Sequence, residues 1–202
     1  RTPKRNDLTR SSVIAAGAAA LANAATPLLA LNEAQARKLV GMLVDDINQV
    51  INSGKSEAAM ISDFEKIFAQ YADVPIMARY ALGVEGRSAS ASQMRAFTDA
   101  FSTYISRKYG KRFREFIGGR VEVQSARASN AGYEIKCTAF LQGQAPFEIT
   151  FLVSDKSGRD KFFNMFIEGI NLLLTERTEI GAMLDRRSGN IDQMIADLRQ
   201  LS

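Results

Sequence analysis

The spacing of apolar residues changes at Gly118-Gly119, and this change constrains the fold more than any other feature of the sequence. Before it, apolar residues recur every three or four positions, which is typical of amphipathic helices. After it, over residues 121–167, apolar and polar residues alternate, as in strands that bury one face. Helical spacing returns after Gly169. Because strands and helices do not alternate along the chain, this order predicts an α+β fold.

The helical spacing predicts four helices before the strands and two after them. Asn32 is a suitable N-cap for the first helix, and Ser53-Gly54 can end it. Ser90 and Gln93 form a capping-box pattern at the start of the longest helix. The predicted helices cover residues 32–53, 56–71, about 75–82, about 91–116, 170–184 and 190–201.

The alternating segments predict four strands joined by short polar turns. Turns this short connect neighbouring strands into an antiparallel meander. The residues expected on its apolar face are Val121, Val123 and Ser125, then Tyr133, Ile135, Cys137, Ala139 and Leu141, then Phe147, Ile149, Phe151 and Val153, and finally Phe163, Met165 and Ile167. We therefore expect an α+β fold, with a four-stranded antiparallel sheet and the N- and C-terminal helices packed on its apolar face.

The composition excludes several classes of enzyme and metal site. The 202 residues include no His and a single Cys, Cys137. Without His there is no Ser-His-Asp or Cys-His nucleophile pair, no imidazole metal ligand and no histidine pH switch. One Cys forms no intramolecular disulfide, so we expect a buried thiol or an intermolecular link. No cofactor is predicted, and acid pairs such as Glu176 and Glu179 are expected on a solvated helix face.

The first thirty residues have the order of a secretory signal peptide. A basic start precedes an uncharged, Ala-rich apolar run, and Ala22-Asn23-Ala24 then supplies a small-x-small cleavage site. We predict a signal peptide at residues 1–24, with cleavage after Ala30 as the second choice, and a single domain at residues 25–202. A short amphipathic or buried helix is the alternative for this segment.

The net charge depends on that assignment. The chain has 26 Lys and Arg against 22 Asp and Glu, a net charge of +4. Residues 1–24 hold four of the bases and one acid, so the remainder has 22 against 21 and is close to neutral. A nucleic-acid partner loses its main support, and no further apolar stretch is long enough to span a membrane. A local basic cluster remains, which fits either a solvated helix end or a contact to phosphate headgroups: Lys108, Lys111, Arg112, Arg114 and Arg120.

Several short motifs carry a resemblance to a known family. They are Arg79-Tyr80-Ala81-Leu82-Gly83, Arg87-Ser88-Ala89-Ser90 leading to Phe97 and Phe101, then Tyr104, Tyr109, Arg120-Val121-Glu122-Val123 and, most specifically, Phe163-Asn164-Met165-Phe166-Ile167-Glu168-Gly169-Ile170-Asn171-Leu172-Leu173. With these motifs the chain resembles the MlaC family, also called the toluene-tolerance family, over roughly residues 34–202. The family often has Asp at the position of Asn164 and Ser at that of Asn171.

The resemblance implies a soluble periplasmic phospholipid-binding component of an ABC-type lipid transport system. In such a protein, a hydrophobic pocket between the helices and the sheet holds acyl chains and leaves the phosphate headgroup near solvent. The expected ligand is a phospholipid, and the expected partners are membrane-bound lipid transport complexes of the inner and outer membranes, in a system concerned with outer-membrane lipid asymmetry. We expect a monomer that binds no nucleic acid.

The apolar faces supply the candidate walls of that pocket. They are Phe97, Phe101 and Tyr104 on the longest helix, Ile135, Ile149, Phe151, Met165 and Ile167 on the sheet, and Tyr80 and Leu82 near the mouth. The same residue types would also fill an ordinary core. The resemblance therefore implies a phospholipid carrier, for which no catalytic residue is expected. Two alternatives stay open, an enzyme that modifies lipids or envelope polymers and a ligand-free interaction module of a transporter.

Overall fold

Within residues 30–201, six α-helices follow one another in the order that the apolar spacing predicts. The computed structural model describes residues 30–201, without the side chain of residue 113, so the predicted signal peptide lies outside the described residues. The α-helices are α1 Glu33–Ile51, α2 Glu57–Tyr71, α3 Val74–Leu82, α4 Ala91–Gly110, α5 Leu172–Arg186 and α6 Ile191–Gln200. No helix of residues 30–201 is long and apolar enough to cross a membrane.

Side-chain caps fix the starts of the helices. Asn32 and Gln35 exchange two hydrogen bonds of 2.9 Å between side chain and backbone, which is a capping box at the start of α1. Ser90 and Gln93 form the predicted box at α4, with distances of 3.2 and 3.0 Å. The predicted extension of α4 to Phe116 is wrong in its last turn, where the chain narrows to a 3₁₀ helix after Gly110.

A meander of antiparallel strands lies between α4 and α5. The strands are β1 Arg120–Ser129, β2 Gly132–Phe140, β3 Phe147–Ser154, β4 Lys161–Ile167 and β5 Ile170–Asn171, in that order across one sheet. The prediction of four strands missed β5. Glu168 and Gly169 both have positive φ, 50° and 76°, and this tight reversal lets the two residues of β5 pair with the end of β4.

Two β-bulges change which residues face the helices. The register of β1 shifts between Val123 and Ser125, so Ala126 pairs with Ile135 and Ser125 is exposed. An extra residue in one strand moves the following side chains to the opposite face. The prediction that Ser125 lies on the apolar face is therefore wrong.

The second bulge lies where β3 pairs with β4. Val153 pairs with Phe162, whereas Leu152 pairs with Asn164, so Phe163 is the extra residue. Phe162 is buried at 4% exposure, and Phe163 is only half-buried. Phe162 thus takes the inward position that strict alternation predicts for Phe163.

The helices cover the apolar face of the sheet as one layer. α1 packs on β1 and β2, α5 packs on β4, and α4 packs against α2, α3 and α6. Val40, Phe97, Ile135, Val153 and Leu198 are fully buried in the resulting core. The α+β architecture with helices from both ends of the chain on one sheet face is confirmed, and a space remains between the two layers.

Candidate functional site

A cavity of about 470 Å³ lies between the helices and the sheet. This volume is within the range of small-molecule sites. Its walls are mostly apolar side chains of five helices and of the sheet: Leu43 and Ile47 on α1, Phe64, Ile67 and Phe68 on α2, Met77 on α3, Phe101 and Ile105 on α4, Leu172 and Leu173 on α5, and Ile149, Phe151, Phe162, Met165 and Ile167 on β3 and β4.

The exposed members of the lining mark where the cavity opens. Arg112 and Glu115 belong to the 3₁₀ helix after α4, and Glu168 lies in the turn before β5. Gln144, Ala145 and Pro146 lie in the turn between β2 and β3. All six side chains are exposed and four of them are polar, so the opening has a largely polar rim whereas the interior is mostly apolar.

Five of the ten candidate wall residues lie in the cavity wall. They are Phe101 of α4 and Ile149, Phe151, Met165 and Ile167 of the sheet. In the sheet, Ile149 pairs with Ile167 and Phe151 pairs with Met165, so the four side chains form one surface. Their contact with a lipid stays a prediction.

The other five candidates lie outside the cavity lining. Phe97, Ile135, Leu82 and Tyr104 are buried in the surrounding core. Ile135 faces the helices, as predicted, but α1 packs over β2 and separates this side chain from the cavity. Tyr80 is 39% exposed on α3, and the Arg177 guanidinium lies 5.1 Å from its ring centroid.

The prediction omitted the wall that α2 supplies. Phe64, Ile67 and Phe68 recur at three- and four-residue steps and all line the cavity. The same spacing correctly predicted the helix, but it does not distinguish a side chain that faces a cavity from one that fills a core.

A cluster of charged and aromatic side chains connects α4 with α5 beside this cavity. We call Tyr104, Lys108, Tyr109, Glu176 and Glu179 the polar cluster. The Lys108 ammonium lies 2.8 Å from Glu176 Oε1, 2.6 Å from Glu179 Oε2 and 3.1 Å from the Tyr104 hydroxyl. Tyr109 donates to Glu176 Oε1 at 2.5 Å, and Tyr104 donates to Glu179 Oε2 at 2.8 Å. Two of the five, Tyr109 and Glu176, line the cavity.

Burial distinguishes the two acids of the polar cluster. The Glu176 side chain is 2% exposed and that of Glu179 is 46% exposed. The prediction that both lie on a solvated face is therefore wrong for Glu176. Its second oxygen, Oε2, is buried and has no hydrogen-bond partner among the described residues. A buried polar atom without a partner is rare in native proteins and needs an explanation.

The environment keeps the donors of the polar cluster protonated. Burial alone would lower the pKa of Lys108, but its hydrogen bonds to Glu176 and Glu179 raise that pKa above the ordinary value. Burial, followed by the neighbouring carboxylates, raises the pKa of Tyr109. The pKa of Tyr104 is also raised, chiefly by burial. At neutral pH Lys108 is therefore a cation, and the hydroxyls of Tyr104 and Tyr109 are neutral donors.

The predicted basic cluster does not form one surface patch. Lys108 turns inward to the polar cluster, and Arg112 stands at the cavity opening, 3.8 Å from Glu115. Arg120 pairs with Glu122 at 2.6 Å, and its guanidinium lies 4.2 Å from the Phe140 ring centroid. Of these residues, Arg112 is the one whose charge faces the opening.

Asn164 and Asn171 stand where the MlaC-like pattern often has Asp and Ser, and they connect β4 to the start of α5. Asn164 Nδ2 donates to Asn171 Oδ1 at 3.0 Å, a hydrogen bond that Asp at position 164 would lack. Asn171 Oδ1 also accepts from the Leu174 amide at 3.0 Å and so caps α5. Asn164 Oδ1 accepts from the amides of Met165 and Leu173. The two side chains therefore anchor one end of the cavity wall.

A metal site and a reactive thiol each place requirements on the described residues. Within residues 30–201, no three His, Cys, Asp or Glu side chains are grouped so that they could hold a metal ion. Cys137 is fully buried in β2, and burial raises the pKa of its thiol to about 12. Of the two states expected for this Cys, the buried thiol is confirmed, and its thiolate is disfavoured at neutral pH.

The fold is similar to that of a solved lipid-binding protein. The chain matches the structure of a phospholipid-binding protein from Ralstonia solanacearum, solved at 1.53 Å in complex with a phospholipid. The TM-score is 0.67 at 19% sequence identity, and the match covers 81% of this chain and 98% of that one. The family model described as MlaC protein matches residues 42–200. Since this match spans well over half of the sequence and agrees with the motifs, the chain belongs to the MlaC family.

Proposed function

We propose that the protein is a phospholipid carrier that holds acyl chains in the cavity and keeps the headgroup at the polar opening. The observation that carries this proposal is the cavity of about 470 Å³, whose interior is mostly apolar and whose rim is largely polar. A phospholipid has the same division between tail and headgroup. The phospholipid bound to the Ralstonia protein of the same fold supports this choice of ligand.

The free energy of transferring a lipid into water explains why a lipid carrier needs an apolar cavity rather than a reactive group. Burying a methylene group stabilises it by about 0.8 kcal/mol relative to water, so a lipid with ~30 methylenes would cost on the order of 20 kcal/mol to release into water. A bilayer offers the same burial as an apolar cavity. Transfer between bilayer and protein can therefore be nearly neutral, provided that the tail stays covered.

The carrier would work in the periplasm after removal of residues 1–24. We propose that it acts as a monomer and exchanges phospholipid with membrane-bound transport complexes of the inner and outer membranes, within an ABC-type system. The missing His and the buried Cys137 weigh against the rival function, an enzyme that modifies lipids or envelope polymers. The other rival, a ligand-free interaction module, would have no use for an apolar cavity.

Native mass spectrometry tests the carrier proposal directly. The protein is purified without detergent and measured before and after extraction with organic solvent. We expect adducts with the mass of phospholipids before extraction, and recovery of those adducts after incubation with vesicles. Protein that never carries lipid, in either condition, would contradict the proposal. Hydrolysed or modified lipid in the extract would instead favour the enzyme.

A further inference from the structure

Large apolar side chains stand exposed at the corner where α3 meets the start of α5. Four of the seven such residues among residues 30–201 lie here, each between 39% and 61% exposed. They are Tyr80 of α3, Val84 in the 3₁₀ turn that follows it, and Ile170 and Leu174 at the start of α5. We call these four residues the apolar corner. Single exposed apolar residues are ordinary, but a group of them beside polar residues marks an interaction site.

Arg177 joins the two halves of the apolar corner into one surface. α3 and α5 pack directly on each other, and the Arg177 guanidinium lies 5.1 Å from the Tyr80 ring centroid. The guanidinium also lies against Gly83, where an added Cβ would stand 3.7 Å from Nε. On α5, Leu174 precedes Arg177 by three residues, so their side chains are neighbours on the helix.

The apolar corner is continuous with the wall and the rim of the cavity. Ile170 pairs with Ile167 in the sheet, and Ile167 lines the cavity. Glu168, two residues before Ile170, belongs to the rim. Leu173 lines the cavity, and the next residue, Leu174, belongs to the apolar corner. A surface that contacts the apolar corner therefore lies beside the opening.

The charged groups around the apolar corner are mostly cationic. Arg79 and Arg87 are exposed at the end of α3 and of the turn after it. Within residues 30–201, no ion pair involves Arg79, Arg87 or Arg177. The acids beside them are Glu85 and the rim residue Glu168, and the two acids of the polar cluster already pair with α4. Three guanidiniums therefore have charge to offer to an anionic surface.

We propose that the apolar corner contacts the headgroup region of an anionic lipid bilayer, next to the opening through which lipid would pass. Arginine, tyrosine and aliphatic side chains together suit that region, because the apolar parts enter the acyl boundary while the charges meet phosphates. The unpaired guanidiniums complement the anionic lipid surface. This inference goes beyond the proposed carrier function, and bilayer contact is measured separately from lipid retention.

Single-tryptophan reporters test the contact cleanly, because the natural sequence contains no Trp. Leu174→Trp places the reporter in the apolar corner. Met42→Trp places it at a similarly exposed position of α1, which packs on β1 and β2. Each variant is mixed at low salt with vesicles of phosphatidylethanolamine and phosphatidylglycerol that carry brominated acyl chains. We expect a blue shift and about a twofold loss of emission for Leu174→Trp, with little change for Met42→Trp.

Removing the vesicles distinguishes bilayer contact from lipid held in the cavity. After gel filtration, emission that returns was quenched by the bilayer, whereas quenching that stays with the protein comes from carried lipid. Native mass spectrometry of the same fraction counts the carried lipid. We expect most of the emission of Leu174→Trp to return. Absence of bilayer contact in protein that carries lipid would leave the carrier proposal standing.

Paired charge removals test the role of the arginines. Arg79→Gln combined with Arg87→Gln should weaken vesicle binding about twentyfold, since each basic residue near an anionic surface contributes similarly. Arg37→Gln combined with Lys38→Gln removes the same charge from exposed positions of α1 and should change binding far less. Flotation with vesicles measures both affinities, and circular dichroism checks that the variants are folded.

Three outcomes would overturn the inference. Equal quenching of both reporters would mean that the contact is not confined to the apolar corner. Quenching of neither would mean that protein-free bilayers do not bind there and would favour a protein partner, and quenching that persists wholly after gel filtration would assign it to carried lipid. Equal loss of affinity for the two pairs of charge removals would reduce the attraction to net charge.

Discussion

The sheet side and the α4–α5 side of the cavity are built from different kinds of side chain. On the sheet, Ile149, Phe151 and Met165 form a continuous apolar surface. On the helical side, Glu176 and Tyr109 bring the edge of the polar cluster into the wall. Apolar burial is non-directional, whereas hydrogen-bonded charges need defined partners. The sheet side therefore offers a non-directional apolar surface, whereas the α4–α5 side offers polar groups with defined partners.

A charge placed on the sheet side should have the largest effect. Phe151→Asp would put a carboxylate at a site that is 4% exposed and has no cationic partner in the cavity interior. We expect a loss of stability of about 4 kcal/mol and lipid retention below about a tenth of that of the natural protein. Urea unfolding and native mass spectrometry measure the two quantities.

The bulge in β4 supplies the control for this change. Phe163→Asp alters the same type of residue at a half-buried position that does not line the cavity. It should keep lipid bound and cost clearly less stability. If folded Phe151→Asp protein still retains lipid, or if both variants lose it equally, the sheet side does not contact the tail.

Breaking the polar cluster should have the next largest effect. Lys108→Met removes the cation that Glu176 and Glu179 share and leaves Glu176, at 2% exposure, as a buried charge without its partner. Loss of one partner of a buried pair costs about 3 kcal/mol or more. Urea unfolding at neutral pH checks this value.

An exposed ion pair provides the comparison for that loss. Arg187 makes hydrogen bonds of 2.6 and 2.7 Å to Asp197 near the surface. Arg187→Met should cost far less stability than Lys108→Met, because exposed pairs contribute little. Similar losses for Lys108→Met and Arg187→Met would mean that the polar cluster is no more than a surface feature.

The sheet side was predictable from the sequence because its signal is local. Alternation along β3 places Ile149, Phe151 and Val153 on one face with no knowledge of the rest of the chain. It failed at Ser125 and Phe163, where bulges add a residue that leaves no mark in the apolar pattern. The error is one residue in each strand, because Ser125 ends the face predicted for β1 and Phe163 begins the face predicted for β4.

The polar cluster was not predictable from spacing because its members meet only in the folded chain. Lys108 and Glu176 are 68 residues apart in sequence. A charged residue on a predicted helix usually lies on its solvated face, and each of the two fits that expectation when it is considered alone. Only the packing of α4 and α5 brings them together. The cavity itself has the same limit, since nothing local distinguishes Phe101 in its wall from Phe97 in the solid core.

Truncating a side chain on the sheet side should cost less stability than truncating the same type of side chain in the core. Met165→Ala removes a side chain that already faces empty space, so fewer packing contacts are lost, and we expect a cost of about 1 kcal/mol with more room for the tail. Met194→Ala makes the same change on α6 at a fully buried position and should cost roughly 2–5 kcal/mol. Urea unfolding measures both, and equal costs would show that Met165 packs as tightly as a core residue.

The smallest expected effect is the pH dependence contributed by Glu179 on the α4–α5 side. Partial burial alone would raise the pKa of its carboxyl, but hydrogen bonds from Lys108 and Tyr104 lower that pKa below its ordinary value of 4.5. A carboxyl whose pKa is lower in the folded protein stabilises it above the ordinary value, and this contribution is lost as the pH falls below it. Because the side chain is 46% exposed, screening by solvent keeps the contribution under about 1 kcal/mol. Glu179→Gln should therefore reduce the loss of stability in urea unfolding between pH 6 and pH 3, as should added salt. If the loss of stability between pH 6 and pH 3 is the same in that variant, Glu179 does not belong to the polar cluster in solution. Lys108 would then pair with Glu176 only.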